Sequence, residues 1–201
     1  MKLFDEYPNL ESEYIAIHRL RPEDAEGIRK LAEDPKVSAT VPTFLYENKY
    51  EDKALVIERE EAELFRTGEG ILLGIYLKGG RAGEAGDSAG EGGETFVGLA
   101  EIYGYDEAKN KASIGARILP EFWRRGISTE TARLLRDYLI DDLGLRTVTA
   151  HILKNNFASA ACVLKNGFVA KYCDIYEDWG MGEPMLTDKY VFKNPGVPRE
   201  D

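Results

Sequence analysis

Pro120-Glu121-Phe122-Trp123-Arg124-Arg125-Gly126-Ile127-Ser128-Thr129-Glu130 is the stretch on which the reading of this chain turns. Two arginines and a glycine run straight into a segment whose Leu134, Leu135, Tyr138 and Leu139 share one helical stripe, so the loop opens a helix packed on a core. The free N–H groups of a first turn and the positive end of the helix dipole suit an anion, and a diphosphate fits there. Gly126 takes backbone angles barred to other residues and lets a ligand approach the main chain. Ile127, Ser128 and Thr129 supply the N–H groups, and Arg124 and Arg125 add charge-assisted bonds. Gly144 is placed to end the helix. A basic turn before a helix is also how an ordinary solvated helix start reads, and both readings stand here.

Downstream, Thr147-Val148-Thr149-Ala150-His151-Ile152 alternates as a strand, and Asn155-Asn156 leads into a helix that closes at Gly167 before Phe168. Asn156 suits an N-cap with Ser159 three residues on, which a capped helix explains without a ligand. In this order, however, the parts resemble motif A and the following segment of the GNAT superfamily of acetyl-CoA-dependent N-acetyltransferases. The family's loop is usually Arg/Gln-x-x-Gly-x-Gly/Ala, and its RimJ/RimL-type branch commonly has Trp-Gly-Lys-Gly-Tyr-Ala-Thr-Glu. Trp123 favours that branch, while Ser128 stands where Gly or Ala is usual. The resemblance implies that the diphosphate of acetyl-CoA sits on residues 124–129, that Asn156 binds the pantetheine arm, and that Ser159 protonates or hydrogen-bonds the departing thiolate. Many members place a tyrosine acid four residues after the Ser159 position; here Val163 stands there, as RimJ/RimL-like sequences also lack it.

Composition frames this reading. With 201 residues and 43% hydrophobic content the chain suffices for one full-sized domain, 1–201, and two would be cramped. The start, Met1-Lys2-Leu3-Phe4-Asp5-Glu6, turns acidic before an apolar run can build, and no apolar stretch is long enough for a membrane span, so neither secretion nor membrane insertion is expected. Cys162 and Cys173 are too few for a disulfide scaffold, and with His18 and His151 they complete no metal cluster; a reducing cytoplasm fits. Cys162, beside Ala158 and Ala161, reads as a small core residue. A net charge of −10 argues against nucleic acid and is consistent with a basic peptide or amine without selecting one.

Along the chain, residues 14–20 read as a strand, and Pro22-Glu23-Asp24 opens a helix carrying Ile28, Leu31 and Ala32 as far as Pro35. A second helix over 50–65 closes at Gly68, and 71–77 is the next strand. Residues 79–94 turn to Gly, Ala and acids, which predicts a mobile insertion in a hairpin, either a tolerated surface loop or a lid over the substrate. In the strand 95–103, Val97, Leu99, Glu101 and Tyr103 share one face, so an acid interrupts an apolar stripe. Such a carboxylate either takes a proton from an amine or pairs across strands with Arg117 or Lys111; several GNAT enzymes carry a catalytic glutamate on this strand, which favours the base.

By resemblance, residues 112–119 are the strand that splays from its neighbour, with backbone at Arg117, Ile118 and Leu119 bonding pantetheine as an added strand would. Strands at 169–176 and 186–192 follow, Trp179, Tyr176 and Tyr105 being acceptor-pocket or core aromatics, and 194–201 is a tail. The expectation is a mixed α/β GNAT fold, a mostly antiparallel twisted sheet of about seven strands flanked by helices. It transfers acetyl from acetyl-CoA directly to an amine in a ternary complex, protein N-terminal amines first, with Glu101 as base and Ser159 at the sulfur. A polyamine or antibiotic acetyltransferase and a CoA-binding regulatory module without transfer are the alternatives. A triphosphate site is disfavoured because no Gly-Lys-Ser/Thr ending follows the loop. Dimerisation is common in the family.

Overall fold

Alternating apolar residues build a sheet first, and the helices then cover its two faces. The structure is a computed structural model that describes residues 3–41, 48–68, 70–79, 93–180 and 182–197. Its strands are β1 (Leu10–Glu11), β2 (Ile15–Arg19), β3 (Gly70–Lys78), β4 (Glu94–Asp106), β5 (Lys111–Ile118), β6 (Thr147–Leu153), β7 (Val169–Glu177) and β8 (Met185–Lys193). They form one sheet in the order β1-β2-β3-β4-β5-β6-β8-β7, antiparallel throughout except between β5 and β6. The strand beyond the expected set is the two-residue β1, too short to show an alternation.

The helices are α1 (Ala25–Glu33), α2 (Pro35–Ser38), α3 (Ala62–Thr67), α4 (Ile127–Asp137) and α5 (Phe157–Lys165). The helix expected over 50–65 takes a wide π turn at Val56–Glu61 before α3, and α4 continues into another at Tyr138–Asp142. On one face of the sheet, Leu135 and Leu139 of the α4 segment and Val163 of α5 pack with Ile15, Ile75, Ile102 and Val148. On the other, Ile28, Leu31 and Leu64 of α1 and α3 pack with Leu72 and Leu99. Full burial of a leucine such as Leu135 contributes about 1.5–3 kcal/mol, so these stripes decide which face each helix covers. Among the described residues no helix is long and apolar enough to cross a membrane.

β3 and β4 close as a hairpin at Lys78↔Glu94, with the Gly79 N–H donating to the Gly93 carbonyl at 3.0 Å. The expected insertion leaves from that point; its residues 80–92, like 198–201 of the expected tail, lie outside the described residues. A β-bulge shifts the β3–β4 register between Ile75 and Tyr76. Val97 therefore joins Ala100 and Ile102 on the α4 side, correcting the expected stripe: Leu99, Glu101 and Tyr103 face the other way without it.

The parallel β5–β6 ladder positions the site. It has three rungs, Lys111↔Thr147, Ala112↔Val148 and Ser113↔Thr149, although β5 runs on to Ile118 and β6 to Leu153. Beyond them each strand stays with its outer neighbour, β5 with β4 to Gly98↔Ile118 and β6 with β8 to Leu153↔Thr187, so the two diverge. The Ser113 and Thr149 hydroxyls, 2.8 Å apart, close the base of the opening.

Candidate active site

The loop before α4 is bent by two residues in the left-handed region, Arg124 at φ +64° and Gly126 at φ +81°. Glycine holds that angle without the steric cost a side chain carries, and a Cβ there would also come within 3.5 Å of the Tyr14 hydroxyl. The first backbone bond into α4 runs from the Glu130 N–H to the Gly126 carbonyl at 3.0 Å. Ile127, Ser128 and Thr129 precede it and present N–H groups with no carbonyl one turn back. The Trp123 indole N–H donates to the Ile118 carbonyl at 2.7 Å, fixing this loop to the diverging end of β5. Arg125 lies over the Phe122 ring, 5.4 Å from its centroid.

Register decides which backbone of β5 faces the opening. The Leu119 N–H donates to Val97 at 2.9 Å, and the Arg117 carbonyl points at Gly98 on β4. The peptide groups of Ala116 and Ile118 therefore turn to the gap, the Ile118 carbonyl being held by Trp123. Of the three residues expected to offer backbone here, Ile118 does so; Leu119 is buried against the α1–α3 side, and Arg117 enters through its side chain.

A cavity of about 300 Å³ occupies the opening. Ser128, Thr131, Asn156, Ser159 and Cys162 line it from α4 and α5, while Glu101, Tyr103, Arg117 and His151 line it from the opposite face of the sheet, with Trp179. It thus passes between the strands from one face to the other. The structure brings Glu101, Arg117, Ser128, Asn156 and Ser159 of the expected set to this cavity; Arg124, Arg125, Gly126, Ile127 and Thr129 belong to the loop and first turn beside it. Thr131 was not anticipated: its hydroxyl is fully buried in the lining without a hydrogen-bond partner, an orphaned group that a ligand's polar atom would satisfy.

Asn156 caps α5, its carboxamide oxygen accepting from the Ser159 N–H at 3.1 Å while its Nδ2 donates to the Thr40 carbonyl at 3.2 Å. It reaches the cavity with both ends of the side chain engaged within the chain. Cys162 corrects an expectation. Ala158 and Ala161 are exposed, whereas Cys162 is half-buried in the lining, with the Thr129 hydroxyl 3.4 Å from its sulfur. Asn166 ties the helices together, donating to the Thr129 and Cys162 carbonyls at 2.9 Å each.

On the opposite face the charged groups come in pairs. Glu101 folds over Gly115, where a Cβ would fall 2.5 Å from its Oε1, and its other oxygen lies 3.4 Å from the Arg117 Nη2. This is the cross-strand pair that was one reading of Glu101, with the Arg117 side chain only 4% exposed. Burial, then the Glu101 and Glu177 charges, push the Tyr103 phenol above its ordinary range, so it stays an O–H donor.

The His151 Nδ1 lies 2.7 Å from the Glu177 Oε1, and the Glu177 Oε2 accepts from the Thr187 hydroxyl at 2.8 Å and from the Trp179 indole at 3.4 Å. Burial raises the Glu177 carboxyl, but the Thr187 hydroxyl, His151 and Trp179 together hold it below the usual carboxylate range. Burial holds the His151 imidazole below its ordinary value, against the pull of Glu177 and with the help of Lys189 and Lys111. The sequence reading passed over His151 as a site residue. His151 shares its strand face with Thr147 and Thr149, opposite the core-facing Val148, Ala150 and Ile152, so it interrupts no apolar stripe that would mark it.

Comparison with known proteins agrees with this arrangement. Residues 15–169 match the acetyltransferase (GNAT) domain family. The chain is 26% identical over 189 residues to the uncharacterized N-acetyltransferase YoaA of Bacillus subtilis (strain 168), covering 94% of this chain and 98% of that one. Its fold is similar to that of RimL, ribosomal L7/L12 alpha-N-protein acetyltransferase, solved in complex with coenzyme A, with a TM-score of 0.71 at 14% identity over 92% of this chain and 98% of the other. It is likewise similar to spermidine N-acetyltransferase from Vibrio cholerae, solved with CoA and spermine, with a TM-score of 0.68 at 15% identity over 91% and 97% of the two chains. The eight-stranded sheet, its opening between β5 and β6, and the family match over most of the sequence lead to one conclusion: this chain belongs to the GNAT acetyltransferases and uses acetyl-CoA as acetyl donor.

Proposed function

We propose that the chain transfers the acetyl group by direct attack of a primary amine, with donor and acceptor bound together, and that the amine is the N-terminus of a protein. The observation that carries this is the cavity that passes through the sheet, lined by helix residues on one face and by ionisable side chains on the other. Two substrates entering from opposite faces meet in it, so no residue has to carry the acetyl group between them.

Acetyl-CoA, when bound, supplies a thioester carbonyl as electrophile. The N–H groups of Ile127, Ser128 and Thr129, with Arg124 and Arg125, hold the diphosphate, and the Ala116 and Ile118 peptide groups receive the arm. Ser159 donates a hydrogen bond at the departing sulfur. The Glu101 carboxyl group, 3.4 Å from the Arg117 guanidinium, draws the acceptor's ammonium to the far side of the gap. The two free cysteines suit a reducing cytoplasm.

A small cationic amine is the second reading, favoured by the fold likeness to a spermidine acetyltransferase and by the net charge of −10. Initial rates over a grid of acetyl-CoA and amine concentrations test the mechanism: intersecting lines are expected, and parallel lines would replace direct transfer by a covalent acetyl-enzyme. A panel of N-terminal peptides, blocked peptides with free lysine, and polyamines decides the acceptor. A polyamine preferred by kcat/KM would displace the peptide reading.

A further inference from the structure

We propose that the proton acceptor of this site is His151, oriented by Glu177, and that it takes the proton of the incoming ammonium on Nε2. The inference rests on direct transfer to an amine and names the group that deprotonates it.

Glu101 is poorly placed for that task. Protonating it would remove a counter-charge from the Arg117 guanidinium, which is almost fully buried 3.4 Å away, and a buried cation is costly once a paired charge is lost. His151 carries no such obligation. Its Nδ1 meets a carboxylate oxygen at 2.7 Å, and an ionised carboxylate only accepts, so Nδ1 bears the hydrogen and the Nε2 lone pair is left for a substrate. Glu177 is itself fixed by Thr187 and Trp179, so base, orienting carboxylate and support form a chain of hydrogen bonds that ends at the cavity wall.

His151 lies on the part of β6 beyond the last rung shared with β5, in the same cavity as Ser159 and Glu101. The charged and titratable groups around it are Glu177 from β7, Lys189 directly across on β8, Lys111 on β5, and Glu101 and Tyr103 of β4 across the cavity. Burial and the two lysines keep the ring neutral at neutral pH, as a base must be, while Glu177 steadies the imidazolium once it forms.

The step balances as follows. Nε2 takes one proton from R–NH3+, and the freed lone pair forms the C–N bond to the acetyl carbonyl carbon as the C–S bond breaks and its electrons leave on sulfur. The nitrogen's second proton goes to the sulfur by way of the Ser159 hydroxyl, and His151 returns its proton to water. One ammonium and one thioester thus give one amide, one thiol and one released proton.

The first readout needs no turnover. The chain has two histidines, and a His18→Gln variant assigns their ring signals in NMR spectra of the intact protein. His151 is expected as the Nδ1–H tautomer titrating below the ordinary value of about 6.5, and Glu177→Gln, of the same shape, should lower the midpoint further and mix the tautomers. An Nε2–H tautomer in the wild type, or a midpoint indifferent to Glu177→Gln, would overturn the proposal.

The second readout is the pH dependence of kcat at saturating amine. His151→Gln should lower kcat by about 10²–10³-fold and abolish the acidic limb, while calorimetric affinity for acetyl-CoA stays within about 3-fold. Glu101→Gln should keep the limb. A limb lost with Glu101→Gln and kept with His151→Gln sinks this inference alone. A wild type that binds acetyl-CoA but acetylates no amine sinks the parent reading, and this one with it.

Discussion

The donor side of the cavity, between α4 and α5, and the acceptor side, around Glu101 and His151, meet in one space but are built on different principles. On the function proposed above, the donor side comes from one stretch of chain, residues 116–166 apart from Arg117 and His151, and works through backbone N–H groups, one glycine and short hydroxyl side chains. The acceptor side gathers Thr40, Glu101, Tyr103, Arg117, His151 and Trp179 from distant segments and works through side-chain identity. Backbone recognition tolerates changes in most side chains and suits a donor common to a whole family. Side-chain recognition changes with single substitutions, and on the same proposal acceptor preference is set there.

If this division is real, substitutions on one side should leave the other's measurements alone. The largest effect is expected from Gly126→Glu, which forces a side chain into φ +81° and sets a carboxylate against the anion site. Calorimetric affinity for acetyl-CoA should fall at least about 100-fold, or roughly 2.7 kcal/mol, with the His151 NMR midpoint unmoved; a moved midpoint would join the two halves electrostatically. Next, Glu101→Gln should raise the KM of a cationic amine about tenfold and leave donor affinity within about 2-fold. Donor affinity lost in that variant would break the partition.

Trp123→Phe keeps the ring and deletes the N–H that holds the Ile118 carbonyl. Donor affinity should fall about 5-fold, the worth of one hydrogen bond of about 1 kcal/mol, and an unchanged affinity would make Trp123 a packing residue only. The smallest effect is on stability. Because the Glu177 carboxyl is held below its usual range, its ionised form stabilises the fold above the unfolded value of about 4.3, and that contribution is lost as pH falls through the lower folded value. Glu177→Gln should flatten this part of the acid limb of stability, seen by denaturant titration on the acid side of the unfolded value; an unchanged limb would remove Glu177 from it.

The same division explains what could be read from the chain. The donor loop, the α4 stripe and the Asn156 cap declare themselves through local spacing, because one turn of helix or one cap is decided by residues a few positions apart. The backbone assignment on β5 was off for Arg117 and Leu119, because which peptide groups face the gap depends on the register with β4, and one residue inverts it. The Val97 bulge inverted a face in the same way. Glu101 was legible as an acid in an apolar stripe, and Arg117 as its neighbour. The His151–Glu177 pair was not, since their segments are joined through β8, which lies between them in the sheet and follows both in sequence.

The three-rung ladder between β5 and β6 has a thermodynamic consequence as well. Strands β2 to β5 and strands β6 to β8 are each knit by longer antiparallel ladders, and with α4 packed across both, these few rungs are where one cooperative unit could open from the other. Native-state amide exchange should find Ala112 and Thr149, whose N–H groups lie in this ladder, opening below the global free energy. A donor lying in the gap bonds to both units at once, so at 100 times its dissociation constant it should raise that opening energy by about 2.7 kcal/mol and merge two exchange classes into one.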